Sequence, residues 1–197
     1  MPKARTAPTR DGVQQMRTRR MLEVGAACLV ALAAVFAMPT PASAAVNTYI
    51  SVTPQPQGPS RMVLDVLDAN PANGTPVQLW ERNYKTQQYW TIHHVGYYNG
   101  YDVYEFHSNI ADKCLDMAID GPPGNGTRVQ TWTCSGGSNQ RWYAENVSGG
   151  DFVSWRPLHN MRNKNLCLDL LNGQYGNGAR LQVFTCQGTW NQRFNVY

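Results

Sequence analysis

After residue 45 the apolar residues fall in short runs broken by polar partners, and no stretch shows the three-and-four spacing of an amphipathic helix. Runs such as Val63-Leu64-Asp65-Val66 and Val77-Gln78-Leu79-Trp80 are bounded by turn residues, the pattern of short β-strands. Tyr97-Tyr98-Asn99-Gly100-Tyr101 predicts a hairpin, because Asn-Gly tolerates the positive φ angles of a type I′ turn. Further Asn-Gly pairs at 73–74, 125–126 and 177–178 each stand just before a Val-Gln or Leu-Gln strand. The expectation is an all-β chain.

The strands come in a repeating order. Cys114-Leu115-Asp116-Met117, then Asn125 to Cys134, then Asn139-Gln140-Arg141-Trp142 return as Cys167-Leu168-Asp169-Leu170, Asn177 to Cys186, and Asn191-Gln192-Arg193-Phe194. A fainter copy precedes both, with Val63-Leu64-Asp65-Val66, Asn73 to Trp80 and Gln87-Gln88-Tyr89-Trp90. Gln88, Gln140 and Gln192 are spaced 52 and 52 apart, and Asp65, Asp116 and Asp169 are spaced 51 and 53 apart. A fixed period over the whole region implies three copies of one unit, at about 47–95, 96–146 and 147–197, each of about four short strands. A propeller of such blades normally needs four or more, so three units sharing one barrel and one cap fit better.

Residues 1–44 follow other rules. A basic leader (Lys3, Arg5, Arg10, Arg17, Arg19, Arg20) precedes an apolar run from Val24 to Ala37, and Ala42-Ser43-Ala44 offers small residues for cleavage near Ala44/Ala45. That reads as a secretory signal peptide; the run is too short to span a bilayer. Thr18-Arg19-Arg20-Met21-Leu22 hints at twin-arginine export, but Glu23 follows where an apolar residue is wanted, which favours the general secretory route. The leader holds six of the 17 basic residues and two of the 13 acidic ones, leaving 11 of each. The pI of about 8.9 therefore belongs to the leader, and the secreted part carries no nucleic-acid or anionic-membrane footprint.

Without Cys28 the cysteines are Cys114, Cys134, Cys167 and Cys186. Four allow three pairings, and the repeat favours Cys114–Cys134 and Cys167–Cys186. Each bridge closes about 20 residues, on the order of 3 kcal/mol by chain entropy. Secretion and disulfides agree. A zinc site is not expected, since neither a Cys-x-x-Cys nor a clustered histidine accompanies the cysteines.

The order Cys-Leu-Asp, Gln-x-(Trp/Phe)-x-Cys and Asn-Gln-x-(Trp/Phe) resembles that of the ricin-type β-trefoil lectins and related bacterial carbohydrate-binding modules, from about residue 47 to Tyr197. The resemblance implies a β-trefoil of twelve strands with pseudo-threefold symmetry and a saccharide ligand. Sugar recognition asks for three side-chain types. A flat aromatic covers the C–H face of a pyranose; a carboxylate accepts its hydroxyl hydrogens in charge-assisted bonds; an amide supplies a donor and an acceptor. The resemblance places these at Asp116, Trp132, Asn139 and Gln140 in the second repeat, and at Asp169, Phe184, Asn191 and Gln192 in the third. In the first they are Asp65 and Trp80, but Gln87 stands where the pattern has asparagine, and Val63 and Arg82 replace the cysteines.

Competing structural roles exist for each type. Trp90, Trp142 and Phe194, which close the repeats, are expected in the core. Gln78, Gln130 and Gln182 either satisfy buried backbone groups or reach the ligand. The aspartates can also cap turns. Trp190 either adds a second wall to the third site or packs on its loop. His93, His94, His107 and His159 are read as loop histidines that do not recur with the repeat, and no Gly-x-Ser-x-Gly or His-Glu-x-x-His occurs. No catalysis, cofactor or metal is expected. The expected function is a secreted lectin-like module with saccharide or polysaccharide partners. The alternatives are a non-catalytic subunit of a secreted glycosidase or toxin, and a trefoil that binds protein, such as a protease inhibitor.

Overall fold

A computed structural model of the chain describes residues 47–52, 62–145 and 156–196. The leader, its expected cleavage near Ala44/Ala45 and Cys28 lie outside them.

Twelve strands and five single 3-10 turns make up the described residues. Six strands form a barrel: β1 (Ile50–Val52), β4 (Trp90–Tyr98), β5 (Tyr101–Ser108), β8 (Arg141–Tyr143), β9 (His159–Asn160) and β12 (Phe194–Val196). β4 pairs β5, β5 pairs β8, β8 pairs β9 and β1 pairs β12, all antiparallel. The bridges Thr48 to Trp90 and Arg156 to Phe194 close the circle. Three hairpins form the cap: β2 (Met62–Val66) with β3 (Thr75–Glu81), β6 (Lys113–Met117) with β7 (Thr127–Thr133), and β10 (Leu166–Leu170) with β11 (Leu181–Thr185). This is the β-trefoil, and it leaves few open strand edges.

Each cap hairpin shows why the period survives folding. In β2, β6 and β10 the residues flanking the aspartate, Leu64 and Val66, Leu115 and Met117, Leu168 and Leu170, point into the core and are fully buried. Side chains alternate across a strand, so the aspartate falls on the other face together with the residue two places before it. On that face Asp65 lies opposite Gln78, Asp116 opposite Gln130 and Asp169 opposite Gln182. The closing aromatics seal the core: Trp90 and Trp142 are fully buried and Phe194 nearly so. The indole N–H groups of Trp90 and Trp142 donate to the carbonyls of Leu64 (3.3 Å) and Leu115 (3.0 Å), so neither ring buries an unpaired donor. The core reading of these three residues holds.

The Asn-Gly pairs divide into two kinds. Asn99 and Gly100 both take positive φ, 49° and 84°, and make the expected type I′ turn between β4 and β5. The other three reach into a neighbouring repeat. Asn73 Oδ1 accepts the backbone N–H of Thr133 (2.9 Å), Asn125 Oδ1 that of Thr185 (2.7 Å), and Asn177 Oδ1 that of Glu81 (2.7 Å). The following glycines donate to Thr131, Val183 and Leu79. First holds second, second holds third, and third holds first.

Candidate functional site

The repeated aspartates are nearly buried, and each is gripped by amides. Gln130 Nε2 donates to Asp116 Oδ1 (2.9 Å), while Asn139 Nδ2 (2.7 Å) and Gln140 Nε2 (3.0 Å) donate to Oδ2. Asp169 repeats this with Gln182 (2.8 Å), Asn191 (2.7 Å) and Gln192 (3.0 Å). Asp65 receives Gln78 and Gln88, both at 3.1 Å, but not Gln87. The structure adds a third role to the two readings of Gln78, Gln130 and Gln182: each glutamine orients a carboxylate. None of the aspartates is a turn cap.

The closing glutamines also fix the loops. Gln88, Gln140 and Gln192 each donate to a strand carbonyl (Glu81, Thr133, Thr185), and their Oε1 atoms accept the N–H of Asn83, Ser135 and Gln187.

Burial pushes the Asp116 carboxyl above its ordinary value by penalising the charged form, and the N–H donors of Gln130, Gln140 and Asn139 draw it back. Asp65 and Asp169 are raised for the same reason. A carboxylate oxygen has two acceptor positions. In Asp116 both on Oδ2 are taken and one on Oδ1, so a single position remains for an incoming hydroxyl. Asn139 spends its remaining donor on the Met117 carbonyl (3.2 Å), which leaves its own oxygen as an acceptor.

A cleft of about 310 Å³ stands over this group in the second repeat. Its floor is Asp116, Gln130, Asn139 and Gln140, and its walls include Trp132, 42 % exposed, and Ile119. At the rim Arg128 pairs with Asp120 at 2.6 Å. Sequence reasoning missed Ile119, Asp120, Arg128 and Ser135. The first two lie in a loop one residue longer than its counterparts in the other repeats. Arg128 does recur, 52 residues on, as Arg180, and that signal was available.

The loop explains the opening. After Asp65 and Asp169 the chain folds at once into 3-10 turns, Leu67–Ala69 and Leu171–Gly173. After Asp116 the sequence Ile119-Asp120-Gly121-Pro122-Pro123-Gly124 makes no such turn, and the chain takes nine residues to reach Asn125 where the other repeats take eight to reach Asn73 and Asn177. In the third repeat Phe184 is half-buried and Trp190 lies edge-on to Tyr175 (6.1 Å), close over Gly173. Trp190 therefore packs on the loop, the second of its two readings. A hollow in that repeat is lined by 174–179 rather than by Asp169.

Both disulfides form as expected, Cys114–Cys134 and Cys167–Cys186. The reading of the histidines needs correction in two respects: His93 and His94 lie in β4, His107 in β5 and His159 in β9, none of them in a loop, and two of them recur with the repeat. His107 and His159 occupy equivalent places, 52 residues apart, opposite Cys114 and Cys167. Cross-strand pairing thus clusters a histidine on each bridge, the feature whose absence argued against a metal. In the first repeat Arg82 takes the place of the second cysteine, its guanidinium 5.5 Å from the Tyr49 ring and 5.0 Å from that of Tyr84.

Among solved structures, a designed threefold-symmetric protein, ThreeFoil, is 23 % identical over 76 % of this chain and 96 % of its own, with a TM-score of 0.62. An exo-β-1,3-galactanase from Clostridium thermocellum is 23 % identical with a TM-score of 0.63; the match covers 79 % of this chain but 30 % of the galactanase. The C-terminal half of an earthworm R-type lectin, solved with GalNAc, is 18 % identical over 76 % of this chain and 96 % of its own, with a TM-score of 0.52. These likenesses establish the fold. No curated protein sequence matches the chain. The profile of the ricin-type β-trefoil lectin domain-like family matches residues 56–132 and 86–184, about two thirds of the chain. With three repeats, their aspartate–glutamine pairs and this match in hand, the chain belongs to that family.

Proposed function

We propose that this protein is a secreted, non-catalytic saccharide-binding module whose principal site is the cleft of the second repeat. One observation carries the reading: a buried carboxylate, held by three amides with one acceptor position left, lies beneath an exposed tryptophan. Asp116 orients a ring hydroxyl, and Trp132, faced by Ile119, covers the apolar side of the sugar. Asp169 with Phe184, Asn191 and Gln192 forms a second, shallower site, and Asp65 with Trp80 and Gln87 a third and weakest. Such open sites bury little of a ligand, so affinity comes from several engaging one polysaccharide or glycan surface. Export rests on the basic and apolar leader.

The sugar is found with a glycan array and retention on insoluble xylan, and the site with titration of Asp116→Ala and Asp169→Ala variants. Binding of a hit that persists unchanged in the double variant overturns the assignment. An array without hits, together with no polysaccharide retention, transfers the reading to protein binding. A second reading, as the non-catalytic part of a larger secreted assembly, is favoured by the likeness to the galactanase, of which this fold is 30 %, and to a mosquitocidal holotoxin, of which it is 17 %. Co-purification of an enzyme from the secreted fraction tests it.

A further inference from the structure

Each disulfide is met by imidazole nitrogen. His107 Nε2 lies 3.4 Å from Cys114 Sγ, and Nδ1 lies 3.6 Å from Cys134 Sγ. His159 Nδ1 lies 3.3 Å from Cys186 Sγ. In both repeats the two sulfurs and one imidazole nitrogen fall within 4.8 Å of one another. A backbone carbonyl completes each group, that of Asp112 at 3.6 Å from Cys134 Sγ and that of Lys164 at 3.9 Å from Cys186 Sγ, again 52 residues apart. The same four-part arrangement twice, from the same strands, is a property of the repeat unit.

While the sulfurs are bonded to each other they cannot act as thiolate ligands. Two-electron reduction breaks the S–S bond and leaves two thiols: a dithiol supplies both protons and becomes a disulfide, whereas a phosphine takes the oxygen of water, whose protons go to the sulfurs, and becomes a phosphine oxide. Two thiols and an imidazole are then held together by the antiparallel pairs β5–β6–β7 and β9–β10–β11. A divalent cation that binds displaces the two thiol protons into solvent and gives a Cys₂His set, which with one oxygen matches tetrahedral zinc. We propose that reduction converts each disulfide into a zinc site: His107, Cys114 and Cys134 in the second repeat, and His159, Cys167 and Cys186 in the third.

The two sites are unequal. In the second, Asp112 Oδ1 lies 2.8 Å from His107 Nδ1 and holds that nitrogen as the donor, which turns the Nε2 lone pair toward Cys114. A carboxylate behind a ligating imidazole is the usual way such a ring is oriented. Glu105 Oε2, 3.5 Å from His107 Nε2, stands ready as the oxygen ligand, while its Oε1 is held by Arg141 (3.0 Å). In the third repeat His159 Nδ1 donates to the Lys164 carbonyl (2.9 Å) and must give up that bond to ligate, and Pro157 occupies the place of Glu105, so water supplies the fourth ligand. The second-repeat site is the tighter one.

The mature protein, reduced with a phosphine without denaturant, is titrated with Co²⁺ and then Zn²⁺. The expected result is two equivalents of cobalt with thiolate-to-metal charge-transfer bands, bleached by zinc, and none in the oxidised protein. His107→Ala and His159→Ala each remove one equivalent, and Glu105→Gln weakens the tighter step alone. If reduction loosens the fold, near-ultraviolet circular dichroism that returns on adding zinc supports the proposal equally. Reduced protein that shows neither cobalt bands nor zinc-dependent recovery overturns it, as do two full equivalents in both histidine variants.

Discussion

The first and second repeats share an aspartate opposite a glutamine and an exposed tryptophan, yet solve two problems differently. The second is stapled by Cys114–Cys134; the first sets Arg82 between Tyr49 and Tyr84. The second surrounds Asp116 with three amide donors and opens a loop above it; the first gives Asp65 two and closes the loop at once. One architecture thus supports either a stapled repeat with an open cleft or an unstapled one with its loop closed. The choice lies in a few side chains rather than in the backbone that carries them.

The largest expected effect tests the core beneath that comparison. Trp142→Ala costs about 3–5 kcal/mol of stability, as large-to-small changes in a packed core do, while Trp132→Ala leaves the melting temperature nearly unchanged and abolishes binding in the second cleft. Chemical denaturation of both variants checks it. Next, replacing Cys114 and Cys134 by serine costs about 3 kcal/mol, whereas Arg82→Ala costs about 1 kcal/mol, the scale of a cation–π contact. Hydrogen exchange in the native protein accordingly opens first in residues 62–90; equal protection of 113–142 and 62–90 breaks the comparison.

Asp116→Ala weakens saccharide binding by about 1–3 kcal/mol, because a ligand hydroxyl then faces the pocket unpaired. Asp65→Ala changes it least, by calorimetric titration against one simple sugar. Gln87→Asn sharpens the contrast from the other side: a shorter amide adds a third donor to Asp65 and strengthens the first site by about 1 kcal/mol or less.

The smallest effect is a dependence on pH. Since burial raises all three carboxyls, acidification protonates them before an ordinary aspartate, and binding fades above the usual value of 3.8. Stability runs the other way. The folded state holds these protons more tightly than the unfolded one, so their contribution is complete below the unfolded value and is lost as pH rises through the raised one. Binding and melting measured across that range must therefore move in opposite directions as far as these groups are concerned.

What was legible in the sequence is what the period itself carries. Asp65, Asp116 and Asp169, the closing aromatics and the disulfides recur at intervals of 51 to 53 residues, and each series corresponds to one place in the repeat unit. His107 and His159 recur as faithfully but lie seven and eight residues before their cysteines, ahead of the Cys-Leu-Asp that opens the motif. Ile119 and Asp120 carried no signal, because the loop that lifts them is the departure from the repeat. The reach of Asn73, Asn125 and Asn177 was hidden for another reason. Asn-Gly has a sufficient local explanation as a turn, and partners 60 or 96 residues away leave no mark on local pattern.

Those three asparagines bear on how the molecule could be cut and rejoined. Each clamp joins a turn to the following unit, and the third returns to the first, so the contacts are the same head-to-tail surface used three times in a closed rotation. Nothing in such a surface depends on which unit the ribosome makes first. New termini at the Asn99-Gly100 hairpin leave every clamp in place, and a peptide of one unit, freed of its covalent neighbours, has a ready route to the same assembly as a trimer of separate chains.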